Sequence, residues 1–159
     1  MTITRHAIRK PFLLLALPAL LLAGCATRPS APAGDGTAAI RAVLEEQARA
    51  WNDGSIERFM QGYARRDDIR FASGGDVERG WQPVFARYVK KYGDRAAMGR
   101  LTFSDLEITP LSTDAAVVLG RWRLQRAQDE PSGLFTLVFR QFPEGWRIVH
   151  DHTSAAEKK

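Results

Sequence analysis

Apolar residues recur at spacings of three and four from Thr37 onward: Ile40, Val43, Leu44, Ala48 and Trp51 share one helical face, while Glu45, Glu46 and Arg49 fall elsewhere. Asn52-Asp53-Gly54 stops this helix. Ser55 is placed to cap a second, short one with Ile56, Phe59, Met60 and Tyr63 as its apolar positions. Ile69 to Ser73 reads as a short strand, Gly74-Gly75-Asp76 as a turn and Val77 to Gly80 as a second strand. A third helix follows, with Val84, Phe85, Tyr88 and Val89 inward and Gly93 at its end. The period then shortens to two. Leu101, Phe103, Leu106 and Ile108 make a strand with a bulge near Asp105, because the spacing between Phe103 and Leu106 skips one residue. Ala115–Arg126, Leu134–Phe142 and Trp146–Thr153 are three further strands. Short turns at Ser112–Asp114, Asp129–Gly133 and Pro143–Gly145 make the long strands antiparallel neighbours. Helices first and strands afterwards predict an α+β domain: one curved sheet wrapped over the helices, with a cavity at its open end.

The segment before Thr37 has a different character. Arg5, Arg9 and Lys10 form a positive n-region, and Phe12 to Leu22 an apolar stretch shorter than the roughly 20 residues a membrane span needs. Leu22-Ala23-Gly24-Cys25 then resembles a bacterial lipobox. The expected organisation is a signal peptide over 1–24, a lipidated Cys25 and a Pro/Ala/Gly-rich tether to residue 36, a domain over 37–155 and a disordered tail over 156–159. Cys25 is the only cysteine, so its lipidation leaves no thiol for a disulfide, a metal or a nucleophile. The net charge of +5 is misleading. Without Arg5, Arg9 and Lys10 there remain 20 basic residues against 18 acidic ones, a balance of +2 that gives no argument for nucleic acid.

Several runs resemble the nuclear transport factor 2-like superfamily: Trp51-Asn52-Asp53-Gly54, then Phe59 and Tyr63, Phe71-Ala72-Ser73-Gly74-Gly75, Gly80-Trp81 and Tyr88. Gly120 to Leu124, Gly133 to Phe139 and Gly145 to Ser154, the last reading GWRIVHDHTS, look like its SnoaL-like branch. That branch is similar to the association domain of calcium/calmodulin-dependent protein kinase II. The resemblance spans roughly 37–155. It implies a cone-shaped fold, a deep pocket and a dimer formed through the sheets, but no single activity. Ketosteroid isomerases share the superfamily and carry an aspartate base near the first strand. Here Phe71 to Gly75 holds no acid, which argues against that chemistry.

Strand periodicity puts His150 and His152 on one face with Trp146 and Ile148, a face expected to be concave and buried. Two imidazoles there would serve as acid–base groups or ligand contacts. The plainer reading makes them hydrogen-bonded core histidines that order the strand end. A metal site would need a third ligand, and the remaining histidine, His6, lies in the signal, so no metal and no cofactor are expected. Arg121 and Arg123 flank Trp122. With Trp122 inward they lie on the outer sheet surface, available to acidic groups across a dimer interface; in the reversed register they would enter the pocket and bind a carboxylate. The pocket residues expected are Trp51, Tyr63, Phe71, Ser73, Trp81, Tyr88, Trp122, Phe135, His150 and His152. No nucleophile elbow and no phosphate loop is present in the sequence.

The expectation is a lipid-anchored, dimeric module of the cell envelope, on the periplasmic face of the outer membrane, with a pocket for a small organic ligand. The alternatives are an acid–base enzyme using His150 or His152, and an envelope scaffold that docks a partner through its sheet. The anchor depends on a single sulfur. Cys25→Ser should abolish incorporation of a labelled fatty acid and release the protein from the membrane fraction; continued labelling of the variant would refute the lipoprotein assignment.

Overall fold

The computed structural model describes residues 36–157. The expected signal, Cys25 and all of the tether but Gly36 lie outside the described residues. Helix α1 spans Gly36–Asn52 and buries Ile40, Leu44, Gln47, Ala50 and Trp51. Its Gln47 was not anticipated in the core. The side-chain amide donates to the carbonyl of Phe59 at 3.0 Å, which satisfies the buried group and ties α1 to the next element. That element is α2, Ile56–Phe59, capped by the Ser55 hydroxyl accepting from the Arg58 N–H and continued by a 3-10 turn over Met60–Gly62.

A six-stranded sheet follows, in the order β2-β1-β6-β5-β4-β3. Strands β1 (Arg70–Ser73) and β2 (Asp76–Arg79) form a hairpin, and β1 lies parallel to β6 (Gly145–Thr153). The long strands β3 (Arg100–Pro110), β4 (Ala115–Gln125), β5 (Ser132–Phe142) and β6 form an antiparallel meander. Helices α3 (Trp81–Lys91) and α4 (Arg95–Met98) connect β2 to β3. The short α4 was not predicted. Val89, expected inward on α3, is 42% exposed, because the face built by Val84, Phe85 and Tyr88 leaves it at the solvent edge.

The end of α1 is fastened to β3 by side chains. The Asn52 amide donates to the carbonyl of Leu101 at 3.0 Å and accepts from its N–H at 2.8 Å, so one side chain substitutes for a strand neighbour. Arg95 donates to the carbonyls of Trp51 and Asn52, both at 2.9 Å, and so satisfies the helix C-terminus.

Two bulges set which residues face inward. In β3 the register shifts between Ser104 and Glu107, with Asp105 at φ 53°, as the skipped spacing predicted. Phe103 and Leu106 therefore both turn toward the core. Opposite them, Gly120 leaves room that Phe135 takes: a Cβ there would stand 2.4 Å from the Phe135 ring. The second bulge lies in β6. Val138 pairs with His150 but Phe139 pairs with Ile148, so Val149 is an extra residue. Trp146 and Ile148 are buried before it; Asp151 is buried after it. His150 and His152 thus leave the face they were expected to share with Trp146 and Ile148: His150 is half-buried and His152 exposed. The strand period of two holds only within an uninterrupted ladder, and one extra residue flips every side chain that follows.

This register has a measurable consequence. Trp146→Ala should cost on the order of 3–5 kcal/mol in urea unfolding, whereas His152→Ala should change stability by less than about 0.5 kcal/mol. Comparable losses for the two would contradict the bulge.

Candidate functional site

The helices lie across the concave side of the sheet and leave a cavity of about 130 Å³. For scale, an engineered apolar cavity of roughly 150 Å³ accepts benzene. Aromatic residues dominate its walls because six elements each deliver one or more rings. Trp51 comes from α1, Phe59 from α2, Tyr88 from α3, Phe71 from β1, Trp122 from β4 and Phe135 from β5, all of them lining residues. Tyr88 is the hub. The rings of Trp51, Phe59, Tyr63, Phe71 and Tyr92 all have centroids within 6.4 Å of its own. Trp51 is held by donation from its indole N–H to the carbonyl of Met98 at 3.1 Å, and Trp122 by donation to the carbonyl of Ser154 at 2.9 Å. Ser154 and Ala155, just beyond β6, complete the wall. The backbone stays paired with β5 as far as the N–H of Ala156, which donates to Ser132 at 2.7 Å and lies inside the segment expected to be a tail.

One carboxylate enters this apolar space. Asp151 is 3% exposed and lines the cavity. Its Oδ2 accepts from the Tyr63 hydroxyl at 2.6 Å, and its Oδ1 from the Thr153 hydroxyl at 2.6 Å. The Tyr63 and Tyr88 hydroxyls lie 3.3 Å apart. Burial pushes the Asp151 carboxyl above the ordinary aspartate range, against the opposing effects of its Thr153 and Tyr63 hydrogen bonds and of the nearby His150 and His152. Burial, followed by the charge of Asp151, also pushes the Tyr63 and Tyr88 phenols well above their usual value, so both stay protonated at neutral pH. The set can donate or accept a proton at the carboxyl and offer phenolic hydrogen bonds beside it. Among the described residues, no three metal-ligating side chains converge.

Of the residues expected to form the pocket, Trp51, Tyr63, Phe71, Ser73, Tyr88, Trp122 and Phe135 line the cavity. Three do not. Trp81 stacks on Phe85 at 5.1 Å and donates its indole N–H to the carbonyl of Met60, and it does not reach the cavity. His150 and His152 are carried away by the Val149 bulge. Arg121 and Arg123 lie on the outer face: Arg121 pairs with Asp105 at 3.3 Å, and Arg123 reaches Glu130 at 4.0 Å. Sequence reasoning missed Asp151, which sat on the wrong side of the assumed alternation. It also missed Arg87 and Lys91, which line the cavity from α3. Their spacing of four from one another, and the position of Arg87 next to Tyr88, was the available signal.

The pattern of the SnoaL-like domain matches residues 40–157. Among solved structures, the chain is similar to an NTF-2 like protein of unknown function from Shewanella oneidensis MR-1, at 39% identity and TM-score 0.71, covering 74% of this chain and 98% of that one. It is also similar to a ketosteroid isomerase-like protein from Erwinia carotovora atroseptica, at 17% identity and TM-score 0.63 over 79% of this chain and 99% of that one. A candidate calcium/calmodulin-dependent protein kinase type II association domain from Thiobacillus denitrificans shares 22% identity at TM-score 0.63, over 74% and 94% of the two chains. The last two likenesses are of fold alone. No match is found among curated proteins.

The Asp151 carboxyl makes stability depend on pH with a definite sign. A carboxyl whose pKa is raised in the fold contributes fully below its unfolded value, roughly pH 4, and loses that contribution as pH rises through the raised value. Stability relative to Asp151→Asn should therefore be greatest in acid and fall as pH increases past about 4. A difference that grows with pH would mean a carboxylate stabilised in its charged form.

Proposed function

Because the chain belongs to the SnoaL-like domain family, whose nuclear transport factor 2-like fold serves no single chemistry, we propose that it is a lipid-anchored envelope protein whose domain binds a small organic molecule in the cavity. One observation carries the binding reading. The cavity combines aromatic walls with a few convergent polar groups, Tyr63, Tyr88 and Asp151, held in place by hydrogen bonds to one another. Binding needs no more than that. The anchor rests on the n-region, the apolar stretch and Cys25, and Ala26 rather than an aspartate after that cysteine supports the periplasmic face of the outer membrane. A homodimer through the outer sheet face fits the exposed Leu119 and Leu134, which lie diagonally across the β4–β5 ladder.

A second reading, acid–base catalysis, draws on the buried Asp151 carboxyl beside the two phenols. It places the reacting group at Asp151 and assigns no step to His150 or His152. The two readings diverge at a substrate: Asp151→Asn would abolish turnover in an enzyme, while a binding module would retain affinity within a modest factor.

Binding is tested first with uncharged ring compounds of suitable size, such as indole and benzamide. At a hundredfold excess over Kd a single site adds about 2.7 kcal/mol of stability, which appears as a raised Tm. Ser73→Trp fills the mouth of the cavity and should remove the shift. No stabilisation by any member of the panel, or an equal shift in Ser73→Trp, would overturn the pocket reading.

A further inference from the structure

The two ends of the cavity differ in charge. Toward the core lies Asp151, with both oxygens already accepting from hydroxyl groups. Where the cavity meets solvent lie Arg87, half-buried, and Lys91, exposed. One turn apart on α3, they point the same way. Among the described residues neither forms an ion pair with a carboxylate. Their contacts are aromatic. The Arg87 guanidinium lies 5.2 Å from the centroid of Phe71, and the Lys91 ammonium 5.4 Å from that of Tyr92, both lining residues.

Among the described residues, other exposed cations, Arg41, Arg65 and Lys90 among them, also lack a carboxylate partner, so what sets Arg87 and Lys91 apart is that both line the cavity. Arg126, which also acts on Lys91, is neutralised by Asp129 through two hydrogen bonds of 2.7 and 3.0 Å. Arg49, Arg58, Arg66, Arg121 and Arg140 each have a carboxylate partner. Like charges at this helical spacing repel. The Lys91 ammonium is held below its ordinary value, first by burial and then by Arg87 and Arg126. An anion between Arg87 and Lys91 would offset that repulsion.

We propose that the cavity takes a small aromatic or cyclic monocarboxylate, its ring among the aromatic walls and its carboxylate held by Arg87 and Lys91 at the mouth. The assignment rests on the pocket reading above and adds the class and orientation of the ligand. The volume admits about one ring. At the inner end the Tyr63 and Thr153 hydroxyls are already committed to the Asp151 oxygens, while the cations stand at the mouth, so the anionic group faces outward. The planar fork of Arg87, braced by Phe71, suits the two oxygens of a carboxylate, and Lys91 adds a point charge.

The test is a calorimetric titration of the purified full chain with benzoate and phenylacetate, each against its uncharged amide. The acids should bind about tenfold more tightly or better. In the double variant Arg87→Gln/Lys91→Gln the acids should fall to the affinity of the amides, while the amides themselves are unchanged. Lys91→Gln alone, at an exposed position, should lose part of the preference and guards against misfolding of the double variant. Equal binding of acid and amide by the unmodified protein would overturn the carboxylate assignment and leave the pocket reading standing. So would an acid preference that survives both variants, since the anion would then sit elsewhere. Failure of every acid and amide to bind would overturn both.

Discussion

A carboxyl group inside an apolar cavity is tolerated only if its lone pairs are satisfied, and in this domain Asp151 obtains that satisfaction from Thr153, two residues on, and from Tyr63, far away in the chain. The Tyr63 hydroxyl can reach it because the chain leaving α2 is laid directly along β6. Tyr63 forms a bridge with Ile148, and the Ala64 N–H donates to the carbonyl of Ile148 at 2.9 Å. That one attachment brings α2, the sheet and the cavity into a common frame. It also places the Tyr63 ring beside Phe59 and Tyr88, so the polar contact and the aromatic cluster depend on the same backbone placement.

The two bulges do complementary work on the same sheet. In β3, the extra residue at Asp105 turns Leu106 inward after Phe103, so an apolar surface continues where simple alternation would have broken it. In β6, the extra Val149 replaces an inward His150 with an inward Asp151. The result is a cavity with one acid at depth, protonated phenols next to it, and two cations at the rim. This polarity runs along the axis a ligand would enter. It distinguishes the site from a purely apolar void, and nothing in the shared fold dictates it. The family relationship accounts for the architecture; the chemistry belongs to the side chains that this chain presents.

Most of the architecture was legible in the sequence, and for identifiable reasons. The helical face from Ile40 to Trp51, the strand patterns and the turn residues are local signals with a fixed period, and burial of an apolar face enforces them. Even the β3 bulge was readable, because Phe103 and Leu106 are apolar and their spacing departs visibly from two. The aromatic lining followed from the same logic at Trp51, Tyr63, Phe71, Tyr88, Trp122 and Phe135.

What the sequence could not determine is the register after Val149. From there His150, Asp151, His152 and Thr153 are polar on both faces, so either alternation is chemically acceptable and no apolar spacing betrays the inserted residue. The choice is made across the sheet. β5 and β1 pair with β6 in a register that turns Asp151 inward, and Tyr63, 88 positions earlier in the chain, supplies its donor. The rim was hidden for a similar reason: Arg87 and Lys91 read as an ordinary solvated helix face until the packing of α3 places them at the opening of a cavity built by other elements. Local periodicity decided which residues are buried along an unbroken element; only long-range pairing decided where that periodicity is interrupted, and hence which charged groups meet.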